Sequence, residues 1–173
     1  MCTAVTLTTG ADTWLDAANP NTTHGADAKL VADGSPGNSI LLKWDLSAIP
    51  AGSTINSATM SVHMQDPNDQ SGSAFQFYGL RHNWSDANAS WDNYDAGATW
   101  GTPGARNTTN DRYATILATT PAGGTPPSWI STTLNGDGIA RLQRWIDGVD
   151  PDYGFAIQDY ADTMGDGFRL DSC

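Results

Sequence analysis

Glutamate is absent from this chain: all 19 acidic residues are aspartate. Glu supports helix interiors, whereas Asp bonds nearby backbone and favours caps, turns and hard-cation sites, so its exclusive use argues against a helical protein. Positive charge is scarce as well. Eight Lys and Arg leave a formal net charge of −11. Without a basic patch, nucleic acid and anionic membrane surfaces are excluded as partners, and strongly acidic polysaccharides fit only where a cation bridges the contact. Cysteine occurs only as Cys2 and Cys173, with no CxxC and no zinc spacing, which excludes redox and zinc roles. That pair either closes nearly the whole chain into one loop, worth about 4–5 kcal/mol in the chain-entropy model, or serves as terminal handles for coupling. No apolar run reaches the length of a membrane span, and no basic-plus-apolar leader starts the chain. An exported form is therefore expected to have lost its signal. With only Lys29 and Lys43 among many Asp, Asn and Thr, the composition suits an extracellular surface.

What is present reads as strands and turns. The chain of 173 residues is one domain's worth and long enough for a closed core. Residues 40–44 form an apolar run of strand length, followed by Ile49-Pro50-Ala51-Gly52. Then Ala58, Met60, Val62 and Met64 alternate with Thr59, Ser61 and His63. Period-2 alternation is that of a half-buried strand, so residues 39–64 are expected to form an antiparallel pair joined by the Pro-Gly loop. Further strands are expected at residues 3–16, 29–32, 74–80, 114–119, 128–134, 153–158 and from 167. One short helix is expected near residues 137–147: Asp137 can cap, Ile139, Leu142, Trp145 and Ile146 share a face, and Gly148 stops the run. Residues 84–106 form a long aromatic-rich excursion full of turn residues, a kind of loop that is often functional. The fold class read from this pattern is all-β.

The segment "LLKWDLSAIPAGSTINSATMSV" resembles the central signature of the DNRLRE domain family. "ADTWLDAANPNTTHG" is similar to that family's opening strand and loop. "WSDANASWDNYDAGATWGTPGA" is similar to its Trp-rich middle, and "DGIARLQRWIDGVDPDYGFAI" to its late helix and following strand. The resemblance implies a single antiparallel β-sandwich, jelly-roll-like, over residues 1–173, of the kind carried by bacterial and archaeal surface and secreted proteins. Some of those modules bind carbohydrate. Two departures stand out. The family's Glu after the first Trp of the middle block is Asp86 here, one methylene shorter. The family also continues past "FRLDS" into a final strand, whereas this chain stops at Cys173. Residues 167–170 are therefore expected near an incomplete sheet edge that dimerises, swaps strands or accepts an added peptide strand. The competing expectation is a sheet that ends at Arg169-Leu170, with Cys2 and Cys173 sealing the termini.

An indole face stacks on the apolar face of a pyranose, so the seven Trp are the first ligand candidates. Trp14, Trp44 and Trp145 sit in apolar periodic contexts that predict burial, and Trp84 and Trp91 belong to the framework block. Tyr94, Trp100 and Trp129 stand beside Gly, Pro and polar residues, where exposure and ligand contact are expected as readily as packing. Arg81 and His82, entering the same excursion, can hydrogen-bond sugar hydroxyls or simply be solvated strand ends. Calcium needs six to eight oxygens. The candidate donors are Asp159, Asp162 and Asp166, and then Asp66, Asn68 and Asp69, although ordinary turn chemistry explains both groups too. No Gly-x-Ser-x-Gly or HExxH occurs, and His24, His63 and His82 stand in unrelated contexts, so no catalytic role is expected. Lys43 within an apolar run admits an isopeptide cross-link, but also a snorkelling or salt-bridged side chain. Two functions follow. One is a non-catalytic, extracellular carbohydrate-binding module for a polysaccharide, neutral unless calcium bridges. The other is a structural or adhesive stalk module held by calcium, a cross-link or strand addition.

Overall fold

The computed structural model describes residues 3–34, 37–64, 75–120, 127–158 and 168–172. The six calcium candidates, Cys2 and Cys173 lie outside them. Among the described residues are eleven strands and one helix: β1 (Thr9–Asp16), β2 (Lys29–Ala32), β3 (Asn38–Trp44), β4 (Thr59–Met64), β5 (Gln76–Gly79), β6 (Asn93–Asp95), β7 (Ala98–Thr99), β8 (Ala118–Thr119), β9 (Ser128–Thr133), α1 (Gly136–Ile146), β10 (Phe155–Gln158) and β11 (Phe168–Asp171). Every strand pairing is antiparallel. One sheet runs β1-β3-β10-β5-β8 and a second runs β2-β11-β4-β9, with β6-β7 a separate small pair. The fold is the expected all-β sandwich with one short helix.

Burial explains the two hydrophobic patterns. Ile40, Leu42, Phe77, Phe155 and Ile157 of the first sheet meet Leu30, Met60, Met64, Ile130 and Leu170 of the second in the main core. The first sheet's other face is covered as well. Leu15, Leu41 and Ala156 bury there against Trp84, Ala89, Trp100 and Ala105 of the aromatic excursion. A strand buried on both faces needs apolar residues at successive positions, which is why β3 reads as a run. The second sheet has one solvated face, so β4 alternates.

That difference corrects the expected hairpin. β3 and β4 belong to opposite sheets, and residues 45–58 carry the chain between them. The connection is far longer than the two to five residues that usually join a hairpin. A second correction concerns the C-terminal edge. β11 pairs with β2 on one side and with β4 on the other, through Leu170 opposite both Leu30 and Met64, and Leu170 is fully buried. Residues 168–171 thus lie inside the sheet, because Leu170 continues the row of core residues across three strands.

The helix is capped two residues before the expected position. Asn135, not Asp137, is the N-cap: its Oδ1 accepts from the Gly138 N–H at 2.9 Å, while its Nδ2 donates to the Ile116 carbonyl at 2.8 Å. Leu142 and Trp145 turn into the main core. Expected strands also shrink at their ends: 3–16 becomes Thr9–Asp16, and 114–119 becomes Ala118–Thr119.

Candidate functional site

The aromatic excursion is built as a cover. Asp111, fully buried, takes up its backbone donors: Oδ1 accepts from Gly101 N–H at 2.6 Å, and Oδ2 accepts from Thr102 and Asn107 N–H at 2.9 Å each. Gln158 of β10 clips the cover to the first sheet by donating from Nε2 to the Gly104 carbonyl at 2.8 Å and the Ala105 carbonyl at 3.3 Å. Trp84 donates to the Tyr153 carbonyl at 2.8 Å.

Four of the sequence candidates belong to this cover. Trp100 is 5% exposed, and its indole N–H donates to the Ser90 carbonyl at 3.0 Å, so the expected exposure is corrected. Half-buried Tyr94 packs on the second core and stacks on His82 with ring centroids 4.1 Å apart and planes 6° apart. His82 Nε2 lies 3.5 Å from Asp111 Oδ1. Arg81 is exposed, with its guanidinium 3.9 Å from the centre of the Tyr113 ring, which Arg141 of α1 also covers, at 3.5 Å. Tyr94, Trp100 and His82 are brought together in the packed cover, where Tyr94 and His82 keep some exposed surface. The other Trp expectations hold for Trp84 and Trp145, which are buried, and for Trp14 and Trp44, which are partly buried against the main core. Lys43 is half-buried and near Asp152, whose ionised form it favours.

Trp129 stands apart. It is 70% exposed and lies on β9 of the second sheet, whereas the cover packs on the first. The strand alternates: Ile130 and Thr132 face inward, while Trp129, Ser131 and Thr133 face solvent. β4 matches it residue for residue. His63 lies opposite Trp129, edge-on to the indole at 5.2 Å and 62°. Ser61 pairs with Ser131 through hydroxyls 3.0 Å apart, and Thr59 with Thr133 at 3.3 Å. On the next strand Asp171 Oδ2 is 2.6 Å from His63 Nδ1. A carboxylate accepts only, so Nδ1 carries the proton, and Nε2 is the ring's remaining hydrogen-bonding atom. Lys29 of β2 is opposite Asp171.

This face offers one aromatic platform flanked by imidazole, carboxylate and paired hydroxyls on three adjacent strands. It can stack an apolar ring face and hydrogen-bond its hydroxyls. The sequence indicated Trp129 within the expected strand 128–134, and β9's alternation sets its side chain on the solvent face. His63, Asp171 and the Ser/Thr pairs were missed as a group. Alternation in "SVHM" and "SWISTT" marks them as solvent-facing, but only sheet pairing shows that they meet.

Among the described residues no group of three or more His, Cys, Asp or Glu is placed to hold a metal ion, and no helix is long and apolar enough to cross a membrane. A search of the curated proteins finds no match. The model of carbohydrate-binding module family 96 matches residues 3–121, a span that holds β1 to β8 and the whole aromatic cover. His63 and Ser61 fall within it; Trp129 and Asp171 follow it. With more than half of its length matched, the chain belongs to carbohydrate-binding module family 96.

Proposed function

We infer that this domain is a non-catalytic, extracellular module that binds a neutral polysaccharide on the outer face of the sheet β2-β11-β4-β9. The observation that carries the reading is Trp129, 70% exposed on a strand and ringed by polar side chains. An exposed indole held on a sheet strand and flanked by hydrogen-bonding side chains supports a binding surface. The −11 net charge favours a neutral glycan, or an acidic one through a bridging calcium ion. The module is read as part of a polysaccharide-active or surface protein, in keeping with the blocks that resemble DNRLRE domains.

Calorimetry against neutral and acidic glycans, with calcium and with chelator, tests it. Binding to a neutral glycan without added calcium is the expected result, and at least about a tenfold loss in Trp129→Ala places the contact. No binding to any glycan in either condition overturns the reading. A structural or adhesive stalk unit is the second reading, favoured by the burial of Trp100 and the packing of Tyr94 in the second core. It expects no glycan binding, and an intact mass lower by one ammonia or water if an internal cross-link holds the unit.

A further inference from the structure

Two rows of side chains leave Trp129 on the same sheet face. One runs across the strands through His63 and Asp171 to Lys29, and it carries charge. The other runs along the strands through Ser61–Ser131 to Thr59–Thr133, and it carries none. We propose that the glycan lies along β9 over the second row, with Trp129 as its stacking platform, the hydroxyl pairs as its track and His63 as the residue that selects among sugars. The proposal rests on the carbohydrate-binding reading above and adds the direction and the selecting residue.

The chemistry favours the uncharged row. Each hydroxyl pair uses one O–H internally and leaves the second O–H and several lone pairs, so it both donates and accepts, as sugar hydroxyls do. Spacing favours it too. Trp129, Ser131 and Thr133 are alternate residues of one strand, so the track extends roughly 13 Å from the indole, with pairs repeating about every 6.7 Å. Sheet positions hold such a row more precisely than loops do. His63 stands beside the platform, where its Nε2 meets the hydroxyls of the stacked ring. Asp171, by accepting from Nδ1, is a positioning residue that keeps that atom in place.

The test measures affinity for one neutral oligosaccharide series, short to long, taken from whichever glycan the parent binds, and for a panel of different neutral sugars of one length. Trp129→Ala is expected to weaken every length by at least about tenfold. The double variants Ser61→Ala/Ser131→Ala and Thr59→Val/Thr133→Val are expected to weaken long oligosaccharides several-fold and leave the shortest unchanged. Removing both hydroxyls of a pair leaves no orphan. Lys29→Ala is expected to bind as the parent does. His63→Gln is expected to change the rank order of sugars, and Asp171→Asn to shift it in the same direction by less. A loss in Lys29→Ala with unaffected double variants overturns the direction in favour of the crossing row. An unchanged rank order in His63→Gln overturns its selecting role. A parent that binds while Trp129→Ala loses nothing overturns the site but leaves carbohydrate binding standing, and a parent that binds nothing overturns both. Unchanged melting temperatures show that each variant is folded.

Discussion

Asp111 and Asp152 show how differently one residue type is used. Asp111 has no exposed surface, yet its carboxylate accepts from three backbone N–H groups of the cover, an arrangement only a two-oxygen acceptor completes. Asp111→Ala leaves those donors unpaired and is expected to cost at least about 3 kcal/mol in urea unfolding. A loss below about 1 kcal/mol, the worth of one ordinary hydrogen bond, contradicts that role. Asp152 is half-buried at the entrance to β10 and accepts from Gly154 N–H at 2.9 Å. Burial pushes its carboxyl above the usual range, against the pull of that N–H and of Lys43. A raised folded-state value means that the native state holds the proton more tightly than the unfolded chain does. The ionised group therefore detracts from stability at neutral pH, and this cost fades over the window in which the pH falls to the ordinary Asp value of about 4. Asp152→Asn keeps the acceptor oxygen and is expected to melt higher than the parent at pH 7, with the gap closing over that window. A gap that ignores pH refutes it.

Elements form where local signals and layer demands agree. α1 has both: an Asn cap, Asp137 in its first turn, Arg144 in its last, and Leu142 and Trp145 on the core face. Asn135→Ala is expected to cost about 1 kcal/mol through the lost cap, measured as a shift in urea midpoint at constant slope. An unchanged midpoint shows that Gly138 N–H finds water instead. β10 starts at a different kind of signal. Gly154 has φ +78° and lies so close to β3 that a Cβ there would run into the Leu42 carbonyl, so the backbone itself sets the approach of two core strands.

At the scale of the molecule, the first sheet is the middle of three layers. The second sheet covers one face and the aromatic excursion covers the other. Gln158 fastens the outer layer, with Nε2 shared among the Ser39 hydroxyl and the Gly104 and Ala105 carbonyls. Gln158→Ala is expected to lower global stability by about 2 kcal/mol or more and to speed hydrogen exchange in residues 84–106 ahead of β4 and β9. Equal acceleration everywhere contradicts a separately fastened cover. This arrangement also sorts the aromatics: those of the excursion pack on the first sheet, fully or in part, while Trp129 is exposed on the outer face of the second sheet.

Composition and periodicity determined the fold class, the alternation of β4 and β9, the helix face and the family blocks, because each depends on neighbours a few residues apart. β3's apolar run was equally legible, yet its partner was not, since a run buried on both faces records that two layers exist without saying which strand lies beside it. Only the tertiary structure decided that β3 and β4 part into opposite sheets, that β11 is interior, and that Trp100 is buried while Trp129 is exposed. Both Trp stand among similar turn-rich neighbours; what separates them is which layer lies over each, and that is settled by contacts between residues far apart in the chain. The same holds for the site. Asp171 reaches His63 from 108 positions away, a distance over which no local pattern carries information.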